Sequence, residues 1–125
     1  MNFLTVEDVL ELHQTQLDRY GGSAGIRDLG LLESAVAQAS ASFGGVPLHP
    51  DIPAVAAAYL FHICKNHPFV DGNKRAALAA TLVFLDLNGY ELEADEQVVA
   101  QLVEDLAAGN LEKPSLTAQL RQWIV

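Results

Sequence analysis

Residues 51–89 read DIPAVAAAYLFHICKNHPFVDGNKRAALAATLVFLDLNG, and this stretch divides into helix, loop and helix. Asp51 followed by Pro53 opens the first helix, because proline is tolerated in a first turn. That helix runs from Ala54 to about Asn66, and Ala54, Ala56, Ala57 and Ala58 leave its backbone open to close packing. Pro68 disfavours α conformation at His67, so the helix stops there. A second helix begins near Asn73 and runs to Asn88, with Gly89 in the position that ends it. Its leucines Leu78, Leu82 and Leu85 form one stripe, while Ala76, Ala79, Ala80, Val83 and Phe84 fill the other faces. A helix so apolar all round is expected to be central and buried.

Working outward, the rest of the chain is also helical in pattern. Ala and Leu together outnumber Val, Ile and Thr by about two to one, which favours helix over strand. Thr5 with Glu7 and Asp8 marks a helix start, and Val6, Val9, Leu10, His13 and Leu17 recur at helical spacing. Arg19 to Gly25 ends that helix in a glycine-rich loop. Asp28 caps a second helix to about Ser40, with Leu31, Leu32, Ala35 and Val36 inward. Two glycines and two prolines between Phe43 and Pro50 exclude a regular helix there and predict an extended loop or short hairpin. Tyr90 to Glu93 reads as a short extended piece. Asp95 caps a further helix to about Ala108, and a last one runs from Ser115 to Trp123, with Trp123 packing it down. The expectation is a single all-α domain over residues 1–125, a compact bundle of about six helices with one projecting loop.

The 125 residues carry 7 Lys+Arg against 16 Asp+Glu, a net charge of −9. Acidity of this size argues against direct nucleic-acid binding through a broad basic face. The charge is uneven, however. Between Ile52 and Leu85 stand Lys65, Lys74 and Arg75 against Asp71 alone, a sum of +2, so the remainder sums to −11. A single cysteine, Cys64, forms no internal disulfide and fits a cytoplasmic location. Met1 to Asp8 lacks the basic start of a secretory leader, and no apolar run approaches the roughly 20 residues that span a bilayer.

The basic island centres on the loop His67 to Arg75, where each residue type has a chemical use. Pro68 helps to aim the His67 ring. Phe69, apolar within a polar loop, plugs the loop into the core. Gly72 permits a positive φ or close approach of a ligand. Asn73 can cap the following helix or bridge a phosphate, and the free N–H groups of that helix end form a ready anion site. Lys74 and Arg75 oppose the helix dipole by about 0.3–1 kcal/mol each, which makes sense where a highly charged anion docks. Asp71 can hold Mg²⁺ on the same phosphates. His67 is then the neutral base nearby, suited to taking a hydroxyl proton near neutral pH.

His67-Pro68-Phe69-x-Asp71-Gly72-Asn73-Lys74-Arg75 resembles the Fic/Doc motif, HPFx(D/E)GN(G/K)R, and in particular its Doc (death-on-curing) branch, the toxins of Phd–Doc-type modules. Leu12-His13, Arg19 to Gly22 and Gly25 to Asp28 are similar to the N-terminal region of that branch, and Phe43 to Asp51 to its flap. The resemblance implies an ATP- and Mg²⁺-dependent enzyme that modifies a protein hydroxyl. It places His67 as general base, Asp71 as the Mg²⁺-binding acid, Gly72, Asn73, Lys74 and Arg75 around the phosphates, and Arg75 among the catalytic residues. Fic proteins mostly transfer AMP, whereas Doc-type members phosphorylate a Thr of elongation factor Tu and stop translation. The flap would clamp the target by main-chain pairing. The expected partner is a Phd-like antitoxin whose C-terminal segment buries an apolar face in a helical groove, with any DNA contact left to the antitoxin.

Two departures separate the activities. Lys74 replaces the second Gly of the Fic GNGR pattern, crowding the anion nest, and Leu78 stands where Fic enzymes carry a further Arg. One phosphate clamp of the AMP-transferring arrangement is thus missing, which favours phosphorylation over AMP transfer. A catalytically inactive binding homologue is the third reading. Other residues have plainer readings. His62 and His67 lie about 140° apart on a helix, a poor ligand pair. Cys64 reads as a small buried hydrophobe, His13 as a core or groove residue, and Arg19 as a helix-end cation. Lys65 and Asn66 either touch phosphate or target or lie at a solvated helix end. Gly21 to Gly25 matches neither a dinucleotide-binding nor a P-loop pattern.

Overall fold

In the computed structural model, which describes residues 1–125, six helices carry one small hairpin: α1 (Val6–Tyr20), α2 (Leu29–Ala39), β1 (Ser42–Phe43), β2 (Val46–Pro47), α3 (Ile52–Asn66), α4 (Asn73–Leu87), α5 (Glu96–Ala107) and α6 (Lys113–Trp123). The helix starts follow from their caps. Thr5 and Asp8 form a reciprocal capping box, and Asp28, Asp51 and Asp95 accept from Leu31, Ala54 and Gln97 amides respectively. The last helix begins at Lys113 rather than Ser115, since Pro114 is accommodated in its first turn.

The central element is α3, which packs against α2, α4, α5 and α6. Its run Ala54–Leu60 is buried on every side, and Tyr59 is fully enclosed. The Tyr59 hydroxyl still accepts a 2.8 Å hydrogen bond from the Leu4 amide, so the phenol is satisfied where it is buried. The small-residue face of α4 (Ala76, Ala77 and Ala80, with Phe84) meets α3. The Leu82 side of α4 is not covered, and Leu82 is 41% exposed. The expectation of an all-round buried α4 is therefore corrected. Alanines permit the close helix–helix approach; of the leucine stripe, Leu85 is fully buried in the core, while Leu78 and Leu82 are left over a groove against α1. Tyr90–Glu93 pairs with the chain end, through Glu91 with Val125 and Glu93 with Trp123.

The hairpin projects between α2 and α3, pairing Ser42 with Pro47 and Phe43 with Val46. Gly44 (φ 58°) and Gly45 (φ 81°) make its two-residue turn, as the tight hairpin geometry requires. Phe43 at its tip is 83% exposed. Its root is fastened to α6. Lys113 Nζ donates at 2.8 Å to Nε2 of both His49 and His62, and Arg121 reaches Asp51 at 2.7 Å. Both imidazoles must be neutral to accept. Burial, then the Lys113 charge, then His49 push the His62 pKa down to about 4.

This cluster makes stability depend on pH. The unfolded His62 takes a proton near 6.5, whereas the folded one stays neutral down to about 4. The contribution is thus complete above about pH 6.5 and is lost as pH falls towards 4. Because the ring is only partly buried, screening holds it to about 1 kcal/mol. Thermal melts across this window are expected to fall for the parent and to flatten for His62→Gln, which keeps an acceptor for Lys113. An equal fall in both would discard the assignment.

Candidate active site

The loop between α3 and α4 is built around two unusual backbone positions. His67 closes α3 in the left-handed region (φ 51°, ψ 54°) and is the one non-glycine residue with positive φ. That conformation costs an L-residue about 1–2 kcal/mol. The α1–α2 loop holds it in place. Amides of Arg27 and Asp28 both donate to the Pro68 carbonyl (2.7 and 3.0 Å), and the Val70 amide donates to Gly25 O (3.1 Å). The Arg27 guanidinium donates through Nε to His67 O (2.7 Å) and through Nη2 to Asn66 O (2.8 Å). Gly72 (φ 78°) is the second special position and caps α4 without a side-chain hydrogen bond.

Phe69 is fully buried, as its apolar character within the loop predicts. Asn73 fixes it from below: its Oδ1 accepts from the Phe69 amide (2.8 Å) and its Nδ2 donates to the Phe69 carbonyl (2.9 Å). Asn73 is itself 4% exposed. The expectation that its carboxamide caps α4 is corrected: Asn73 lies inside the helix, and both polar atoms are spent on the loop backbone. His13 stacks flat on Phe69 (3.7 Å between centroids, 6° between planes). Its Nε2 lies 2.7 Å from the Asp71 carbonyl, so that nitrogen must carry the proton. The reading of His13 as a buried core residue holds, with the addition that it props the site loop.

Above this base the loop His67–Arg75 walls a depression of about 310 Å³. The His67 imidazole is exposed and the Asp71 carboxylate lies opposite the α1–α2 loop. Asp71 accepts from the Ser23 amide (3.0 Å) and the Gly72 amide (2.9 Å). These two hydrogen bonds hold its carboxyl below the usual carboxylate range, with a lesser pull from Arg75. A Cβ on Gly22 would sit 2.8 Å from Asp71 Oδ2, so only glycine lets the loop approach this closely. The first-turn amides of α4 face the same depression uncapped by any side chain.

The three cations of the basic island part company. Lys65 Nζ turns to Leu106 O (3.4 Å), and the Asn66 amide group goes to Leu31 O. Both therefore serve the packing of α3. Lys74 pairs with Glu104 of α5 at 2.8 Å. Lys74 also lines the depression, and its pairing with Glu104 is at the surface, with both side chains about half exposed. Arg75 has no carboxylate partner. It lies over the Tyr20 ring (5.4 Å) and donates to Gly21 O (3.3 Å). Arg19 and Leu78 line a neighbouring groove between α1 and α4 of about 580 Å³, into which Arg75 also reaches. Cys64 is buried, and burial raises its thiol pKa, so it is no nucleophile.

Asp71 is the single carboxylate of the depression, and no three Asp, Glu, His or Cys side chains converge anywhere on the chain. A resident metal needs a fuller ligand set. One carboxylate oxygen with spare lone pairs does fit Mg²⁺ that arrives with most of its ligands as phosphate oxygens and water. Sequence reasoning missed Arg27 as a member of the site, and the signal for it was weak: an arginine beside a cap residue, 40 positions from the residue it holds.

Sequence comparison relates the chain to known proteins over most of its length. The chain is 39% identical over 120 residues to Toxin Doc of Mycolicibacterium smegmatis, covering 94% of this chain and 90% of that protein. It is 32% identical over 122 residues to Protein kinase doc of Escherichia phage P1, covering 98% and 95%. The family model described as Fic/DOC matches residues 3–85, from the strap before α1 to the last turns of α4 and across the whole His67–Arg75 loop. The chain belongs to the Fic/DOC family.

Proposed function

We propose that this chain is the toxin of a toxin–antitoxin module and acts as a protein kinase, moving the γ-phosphate of Mg·ATP to a Thr hydroxyl of a translation factor, elongation factor Tu by preference. The observation that carries this reading is the setting of His67: an exposed imidazole on an immobilised left-handed backbone, beside an uncapped helix N-terminus and an unpaired arginine. In the proposed step His67 accepts the target hydroxyl proton as the oxygen–phosphorus bond forms. The bond from γ-phosphorus to the bridging oxygen breaks, and ADP leaves. The α4 amides and Arg75 hold the phosphates, where developing charge is met by fixed donors. Asp71 would hold Mg²⁺, which neutralises phosphate charge when bound. Asn73 contributes by shaping the loop. The exposed flap hairpin offers main-chain groups to a target segment.

Leu78 supports phosphoryl over AMP transfer, since it supplies no second cation along α4 beyond Arg75. The names of the two relatives, a toxin and a protein kinase, point the same way. A Phd-like antitoxin is the proposed partner, its apolar segment suited to the α1–α4 groove where Leu82 stays exposed. No helix is long and apolar enough to cross a membrane, in keeping with a cytoplasmic target. Intact-mass measurement of purified elongation factor Tu after incubation with the protein and Mg·ATP is expected to give a phosphate increment. An AMP increment would establish the nucleotidyl transferase instead, and an unchanged mass would discard this target.

A further inference from the structure

We propose that Arg27 is the positioning residue of His67, a side chain that never meets substrate but sets the direction of the base. The inference rests on the reading of His67 as the proton acceptor. Arg27 Nε and Nη2 lie on one edge of the guanidinium, and they grip two consecutive carbonyls, His67 O at 2.7 Å and Asn66 O at 2.8 Å. Those carbonyls belong to the last turn of α3, where no intrahelical donor remains and a cation is favoured by the helix dipole. The fork geometry matters, because a planar guanidinium offers two parallel donors at fixed spacing and an ammonium does not.

His67 needs such a hold. It is followed by proline, which favours an extended residue before it, yet it sits at φ 51°. The Pro68 carbonyl is held separately by the Arg27 and Asp28 amides. The Arg27 side chain therefore grips the peptide groups on both sides of the His67 Cα, and the backbone of the same segment fixes the next peptide along, Pro68–Phe69. Without the guanidinium the His67 peptide is free to relax towards the extended region, which swings the imidazole away from the depression. Arg27 is exposed and is not part of the hydrophobic core, so its truncation removes no core side chain.

The test uses the full chain as Arg27→Ala and Arg27→Lys, with two readouts. In phosphoryl transfer from Mg·ATP, Arg27→Ala is expected to lower kcat about tenfold to a hundredfold with KM for ATP within twofold, and Arg27→Lys to recover part of the loss. In NMR, the Cα and Cβ shifts of His67 are expected to leave their left-handed values in Arg27→Ala and to return partway in Arg27→Lys. Unchanged His67 shifts in Arg27→Ala overturn the proposal, as does a changed conformation with full kcat. Should the parent protein transfer no phosphate at all, the kinase reading fails while the shifts still decide whether Arg27 holds His67.

Discussion

His67→Ala is expected to lower phosphoryl transfer by about 10²–10⁴-fold, the range a positioned general base contributes, while leaving the melting temperature close to that of the parent. The separation follows from where the residue sits. Its imidazole is exposed and makes no hydrogen bond within the chain, so truncation removes neither packing nor a satisfied polar pair. The backbone that carries it is fixed by others: Arg27 on its carbonyl, and the Arg27 and Asp28 amides on Pro68. In the proposed arrangement Mg·ATP is held by Asp71, Arg75 and the α4 amides and not by His67, so KM for ATP should hold. His67→Asn is the matching control, since asparagine tolerates the left-handed region but takes no proton near neutral pH. Both variants should lose turnover alike. Full activity in either one would remove His67 from the chemistry, and a collapse of the melting temperature in both would show that the ring is structural.

The parts of this protein that are legible in its sequence are those decided within four or five residues. Thr5, Asp28, Asp51 and Asp95 each accept from an amide two or three positions on, so local side-chain chemistry announces those helix starts. Pro68 ends α3 through its own steric demand. Side-chain destinations across the fold are another matter. Lys74 meets Glu104, 30 positions later, and Arg27 meets His67, 40 positions later. Nothing in spacing or composition picks these pairs from others of the same type. The +2 island illustrates the difference. It lies at the right place in the chain, but Lys65 turns to α5, Lys74 lines the depression while pairing with Glu104, and Arg75 lines it with no carboxylate partner. Asn73 misled for a related reason. Its identity suits a cap, but the left-handed Gly72 takes that position and turns the carboxamide down onto Phe69. Hydropathy does not separate the faces of α4, because it counts methyl groups and not distance of approach: Ala76, Ala77, Ala80, Phe84 and Leu85 enter the core and Leu82 does not.

Phe69→Ala is expected to cost about 3–5 kcal/mol, as deletion of a fully buried phenyl ring does, and to lower the melting temperature by about 10–20 °C. Phe69 is enclosed on all sides, and three things depend on its ring. It is the flat surface on which His13 stacks at 3.7 Å. It keeps its own amide and carbonyl in register with Asn73. Through His13 it supports the Asp71 carbonyl, 2.7 Å from His13 Nε2. With the ring gone, the cavity opens directly beneath the peptide groups that aim His67 and Asp71. Turnover should therefore fall even well below the new melting midpoint, where the chain is still folded. Phe69→Leu, which refills most of the volume, should recover most of the stability but not the flat stacking surface for His13. Its activity is expected to lie between the other two. A melting temperature within about 3 °C of the parent for Phe69→Ala would mean the loop is held by its hydrogen bonds alone. Full turnover in a strongly destabilised Phe69→Ala would mean that the core beneath the loop does not set its geometry. The two readouts separate because stability sums the whole buried ring, whereas turnover depends on angstrom-scale placement of two groups above it.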